Sequence, residues 1–220
     1  LAGWSSNSKY SLLGGLRSAA QMVSYELSMG LAVISVVLVA GSLNFMDIVN
    51  DQASGGALLG WNVVRNPIGC LIFITTAFAE TNRAPFDLPE AEQELVGGYH
   101  TEYSGMKFGM FFLAEYVNWF VASFFIVTLF FGGYLVPFQP LLLDVFPALA
   151  DTAWLAALQF LSLMLKVSFF AFLFIWVRWT FPRFKYNQLM TLGWKYMLPI
   201  SIANALLIAL GVVLFGAFGL

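Results

Sequence analysis

Residues 20–41 read AQMVSYELSMGLAVISVVLVAG, an apolar run broken by a single charge, Glu26. A helix needs roughly 20 such residues to cross the hydrocarbon core of a bilayer. Five runs of this kind lie at about 20–41, 58–80, 106–131, 153–178 and 194–216. The second is less uniform, because Arg65, Asn66 and Pro67 interrupt its start. Continuous runs of this length argue against a β-barrel, whose strands are short and alternate. The expected fold is an all-α integral membrane protein, one polytopic transmembrane helix bundle over residues 1–220.

Composition agrees. The chain of 220 residues is 60% hydrophobic and 10% charged, with a mean hydropathy of +0.81. Soluble domains carry roughly 25% charged residues, so this chain lacks the means to cover a water-facing surface. A net charge of -2 gives no reason to expect nucleic acid as a partner. The lone cysteine, Cys70, excludes an internal disulfide framework and reads as a small packed hydrophobe. The lone histidine, His100, excludes a histidine-rich metal site. No phosphate loop, dinucleotide fingerprint, metal spacing or Ser/His/Asp set is present, so no catalytic residue, metal ligand or redox centre is expected in this chain. It begins LAGWSSNSKY, without Met or a signal peptide pattern, and is expected to be part of a longer protein with spans missing at the front.

Basic residues mark the cytoplasmic side of membrane proteins. Lys9 and Arg17 precede the first run, Arg83 and Lys107 flank the third, and Arg178, Arg183, Lys185 and Lys195 lie between the fourth and fifth. Segments 42–57 and 132–152 hold neither Lys nor Arg. The expected topology alternates, with loop 81–105 inside and the C-terminus outside; Arg65, near the outer end of the second run, is discordant. That inner loop is acidic. Glu80, Asp87, Glu90, Glu92, Glu94 and Glu102 supply half of the chain's 12 carboxylates, against Arg83 and His100. Asp87-Leu88-Pro89-Glu90 resembles a capped helix start and Gly97-Gly98 a stop, so a short helix is expected between them. Such a helix is either a solvated loop element or a set of acids crowded against low-dielectric walls, where protons are shared.

Glu26, Glu115 and Lys166 fall within the apolar runs, and Glu80 closes the second. An ionisable group in a membrane span is by default functional. One reading is a buried Glu115–Lys166 ion pair. The other is a descending set of carboxylates, with Glu80 at the inner end, Glu26 further in and Glu115 deeper, below the loop acids. Phe108, Phe111, Phe112, Tyr116 and Phe120 surround Glu115 in sequence. Aromatics here either pack and face lipid or wall a flat apolar ligand.

The string AETNRAPFDLPEAEQELVGGYHTEYSGMKFGMFFLAEY (79–116) resembles the H-subunit family of the proton-pumping NADH–quinone oxidoreductase, respiratory complex I. The resemblance extends to SKYSLLGGLRSAAQMVSYE (8–26) and WVRWTFPRFKYNQLMTLGWKYMLP (176–199), and so covers nearly the whole chain. It implies an eight-span subunit of which this is the C-terminal part. It further implies a quinone chamber and a coupling of quinone reduction to proton translocation. By motif match, Arg83, Asp87, Glu90, Glu92, Glu94 and Phe112 belong to the chamber and loop. Glu26, Glu80, Glu102 and Glu115 belong to the proton path, and Lys166 and Arg178 are supporting bases. Asn187 stands where the family usually carries Asp. Quinone, ubiquinone or menaquinone, is the implied substrate, with FMN and iron–sulfur clusters in partner subunits. The implied partners are the other subunits of the peripheral and membrane arms, and the implied setting is a bacterial or mitochondrial inner membrane. The alternatives are a membrane subunit of an energy-converting hydrogenase and a stand-alone ion transporter.

Overall fold

The computed structural model describes residues 1–55, 58–82, 85–87, 102–145 and 153–218, without the side chains of 141 and 215–218. In chain order the helices are α1 (Ala2–Ser5), α2 (Lys9–Ala40), α3 (Phe45–Ser54), α4 (Asn62–Arg65), α5 (Pro67–Glu80), α6 (Gly105–Phe130), α7 (Gln139–Val145), α8 (Ala153–Thr180) and α9 (Tyr186–Thr191). A π-helical segment, Leu192–Met197, then runs into α10 (Leu198–Phe218). Among the described residues there is no strand, and of the two ways to satisfy a backbone in lipid, helices and closed barrels, the chain uses helices. The bundle is all-helical and polytopic.

Four helices are long and apolar enough to cross a membrane: Lys9–Ala40, Gly105–Phe130, Ala153–Thr180 and the continuous stretch Tyr186–Leu214. Two of these begin earlier than the apolar runs. α2 starts at Lys9 rather than near 20, and the last begins at Tyr186 rather than 194. In each case a polar or basic segment extends the helix, which hydropathy cannot register. The second expected span differs more. Its helix starts at Pro67, not 58, and has 14 residues. That is about 21 Å of rise, short of a hydrocarbon core of about 30 Å.

The break before α5 has a local cause. Asn66 is held at φ −139 and ψ 67, outside the helical region, because a following proline disfavours helix there. Pro67 takes the first helical position, where no N–H is needed. The Asn66 side chain accepts from Gly69 N at 2.9 Å and donates to Ser35 Oγ at 2.6 Å. One residue therefore caps α5 and ties the break to α2. The π segment has a comparable cause. Pro199 has no N–H for the Lys195 carbonyl, and the widened turn before it carries Leu198 N to Gly193 O instead.

α2 packs against α5 and α10, and α6 against α8. The core they enclose is aromatic. Phe73 meets Phe130 with centroids 5.6 Å apart, and Phe78 meets Phe174 at 4.1 Å. The end of the bundle remote from the acidic loop, expected to be the outer one, is closed by short helices and a polar knot. Gln52, fully buried, donates to Thr128 O at 3.1 Å and accepts from Gly132 N at 3.0 Å and Asn62 N at 3.3 Å. The Asn62 side chain donates to Leu129 O at 2.8 Å. Carbonyls and amides left over at the end of α6 thus find partners without water.

Candidate functional site: a carboxylate-lined crevice between α2, α5 and α6

The inner end of α5 is fixed by Gln21 of α2, which is fully buried. Its Nε2 donates to Ala79 O at 2.6 Å and to Phe86 O at 2.8 Å. One side chain so holds the last turn of α5 and the root of the acidic loop. A second anchor comes from the segment before α9. Phe184 N donates to Pro85 O at 3.1 Å, and Arg183 pairs with Asp87 at 2.6 Å. Phe86 is wedged between the Tyr25 ring, 5.8 Å away, and the Phe184 ring, 5.4 Å away. The loop acid Asp87 therefore has a base that the local sequence did not offer, because Arg183 lies 96 residues further on.

Glu80 sits on the last turn of α5 beyond these anchors. It lines a crevice of about 460 Å³ with Asn82, Phe111, Glu115 and Asn118. A narrower cavity of about 230 Å³ continues from Glu80 and Asn118 between Met29, Val33, Phe73 and Phe125. Glu26 lies on α2, which packs against α5. The antiparallel register of those helices is read from Gln21 with Ala79 and from Asn66 with Ser35. It places Glu26 opposite about residue 75, roughly 8 Å deeper than Glu80.

The structure thus brings Glu80 and Glu115 to one crevice, leaves Glu26 exposed on α2 outside its lining, and orders the three differently from the expectation. Glu115 shares a wall with Asn82 at the loop root, so it is the shallow member and Glu26 the deep one. Counting from the start of the apolar run misjudged it, because α6 reaches inward past that wall to Gly105. Glu102 stands apart, in a polar pocket with Ser5, Ser6 and Lys107. There Tyr103 Oη lies 2.7 Å from Ser5 Oγ and ties α1 to the start of α6. Phe112 is half-buried and packs edge-on to Phe108 at 4.8 Å, while Phe111 is the ring in the crevice. Arg178 is exposed on the last turn of α8, where a cation suits the helix dipole. Asn187 is exposed. Arg83, Glu90, Glu92, Glu94 and the expected loop helix lie outside the described residues.

The Glu115–Lys166 pair does not form. Lys166 Nζ donates to Phe131 O, Gly133 O and Leu135 O at 2.8, 3.1 and 2.6 Å. Phe131 is 16 residues beyond Glu115 along the chain, about 24 Å of helix rise. Four residues that shape the site were not expected from the sequence: Gln21, Asn66, Asn82 and Asn118. Asn118 left a signal, since it follows Glu115 by three residues and so shares its helical face.

These features define a class: a polytopic helical membrane protein with two carboxylates, Glu80 and Glu115, facing one crevice at the root of the acidic loop. A family model for NADH dehydrogenase matches residues 1–209, and the chain belongs to that family. It is 85% identical over its full length to the H subunit of the NADH-quinone oxidoreductase of Salinibacter ruber, covering 64% of that protein. It is 79% identical over 98% of its length to "NADH-quinone oxidoreductase subunit 8" of Rhodothermus marinus, covering 63%. The H subunit of the Leptospira biflexa enzyme is 54% identical over 90% of the chain and is covered to 53%. The chain therefore spans somewhat under two thirds of the length of these curated relatives.

Proposed function

We propose that the chain is part of the membrane subunit of a proton-pumping NADH–quinone oxidoreductase. In this reading it helps wall the quinone chamber and couples quinone reduction to proton movement. The observation that carries this reading is the meeting of Glu80 and Glu115 at one crevice directly behind the anchored root of the acidic loop, with Glu26 about a turn and a half further along the α2–α5 pair. The names of the relatives support the quinone enzyme over a hydrogenase component or a stand-alone transporter.

The work of this chain's residues follows from their places. FMN and iron–sulfur clusters in partner subunits supply electrons, and quinone is the substrate. Aromatic side chains at the inner end of α6, Phe108, Phe111 and Phe112 among them, offer flat apolar wall. Reduction of quinone to quinol takes up two electrons and two protons, which alters charge at the inner mouth. Glu90, Glu92, Glu94 and Glu102 respond by changing protonation or position. Glu115, Glu80 and Glu26 then relay the change inward and toward neighbouring subunits. Lys166 and Arg178 act as structural bases.

The test is Glu115→Gln in membranes carrying the assembled complex. Quinone reduction and proton pumping are expected to fall by roughly 100-fold, the scale for losing one positioned acid–base group. Normal pumping by a fully assembled variant removes Glu115 from the path.

A further inference from the structure

A carboxylate passes a proton to another only within hydrogen-bond reach or through intervening water. Glu80 and Glu115 stand on different helices and share the wall of the 460 Å³ crevice, with Asn82 and Asn118 as its amide side chains. Water claims about 30 Å³ per molecule, so several fit, but each needs 2–4 polar partners and apolar cavities stay dry. The crevice offers such partners unevenly. Thr81 Oγ1 donates its hydrogen to Phe78 O at 3.0 Å, so it can only accept from water. Asn82 Oδ1 is buried and meets no donor among the described residues. Asn82 also has φ 51, a left-handed conformation that few side chains other than Asn and Asp adopt.

Asn118 lines both the crevice and the narrower cavity that continues from it. On the Glu115 side the walls include Asn82 and two carboxylates; on the other side Glu80, Thr81 and Asn118 stand at the junction and the rest is apolar, with Met29, Val33, Phe73 and Phe125. We infer that Asn82 and Asn118 hold a short chain of water between Glu115 and Glu80, and that Asn118 marks the point where the walls turn mainly apolar. Asn82 Oδ1 takes a hydrogen from the first water. The Asn118 amide, which both donates and accepts, orients the last one against Glu80. Both are positioning residues: protons pass between the carboxylates and the water, and the amides keep the water in line.

This rests on the reading that Glu115 and Glu80 exchange protons, so the experiment separates the two. Asn118→Leu, Asn118→Ser, Asn82→Gly and Glu115→Gln are compared in membranes carrying the whole complex. The readouts are assembly, the rate of quinone-linked proton pumping and its solvent deuterium isotope effect. Asn118→Leu is expected to slow pumping roughly tenfold and to raise the isotope effect. Asn118→Ser, which leaves room for one more water, recovers most of the rate. Asn82→Gly keeps the left-handed backbone and loses the amide oxygen; it is expected to slow pumping too, and it decides the matter if Asn118→Leu fails to assemble. An assembled Asn118→Leu complex pumping at the normal rate, with Glu115→Gln slowed, overturns the water chain and leaves the carboxylate path standing. A serine variant as slow as leucine, without an isotope effect, reduces Asn118 to packing and likewise overturns it. Normal pumping by Glu115→Gln overturns the carboxylate path itself, and the water chain with it.

Discussion

Lys166 spends all three of its N–H groups on the carbonyls of Phe131, Gly133 and Leu135, and its ammonium lies 4.4 Å from the Trp61 ring centroid. A turn that ends α6 leaves carbonyls without helical partners, and in an apolar setting each costs free energy. One cation answers three of them, and the indole face covers it. Lys166→Met is therefore expected to destabilise the outer end by about 3 kcal/mol. The check is the temperature of thermal inactivation of membranes carrying the complex, and an unchanged temperature contradicts this role. Arg65 has a simpler explanation. Its charge is discordant on the outer side, but Asp51 meets it at 2.7 Å, so the pair carries no net charge there.

At the scale of elements, the outer knot depends on a close approach at the end of α6. Gly132 has φ +72 and gives its N–H to Gln52 Oε1 at 3.0 Å. A Cβ there would stand 2.8 Å from Trp61 Nε1. Gly132→Ala therefore meets both backbone strain and a rigid ring, and is expected to cost more than about 1 kcal/mol. The yield of assembled complex at raised growth temperature measures it; Gly109→Ala is the control, since nothing lies within 4 Å of a Cβ there. The break at Asn66 works differently. Its side chain stitches the short α5 to the long α2 at Ser35, while Gln21 stitches the other end. Two polar residues set the register of the helix pair that carries Glu80 and Glu26, and apolar packing fills the space between.

For the whole molecule, the basic segments, the acidic loop root and the crevice lie at one end, and the Gln52 knot at the other. Thiol labelling tests this orientation. Cys70, the lone native cysteine, is 3% exposed and gives little background. Cysteine placed at Ser42 is expected to label from the outer side only, and cysteine at Lys185 from the inner side only. Labelling of both from one side contradicts the topology. The Arg183–Asp87 pair joins the root of the acidic loop to the segment leading into α9. Breaking it with Arg183→Ala leaves Asp87, 8% exposed, without this counter-charge. Because Arg183 is partly exposed, this is expected to cost about 1 kcal/mol and to weaken quinone-linked activity. Arg183→Ala together with Asp87→Asn is expected to recover part of the loss, and strict additivity of the two effects shows that the pair is not coupled.

Four of the long helices were legible in the sequence because a bilayer demands length and apolarity, and both can be counted along a chain. Glu26, Glu80 and Glu115 were legible for the same reason: a charge in such a run is conspicuous. The start of α5 was not, because the apolar run is continuous in composition and the break is conformational, fixed by Asn66 and Pro67. The order of the carboxylates was not legible either. A count along one run gives depth relative to that run's own start, whereas depth relative to another helix depends on register. Register here is set by Gln21 with Ala79 and by Asn66 with Ser35, which are contacts between distant parts of the chain. The sequence alone therefore determined the helical class, the length and apolarity of the long helices, and which residues carry charge within them. Tertiary structure alone decided which of those charges meet, that Lys166 belongs to the outer turn, and that Asn118 stands at the junction of two cavities. The physical reason is that lipid acts on each segment independently, while hydrogen bonds and cavities exist only between segments.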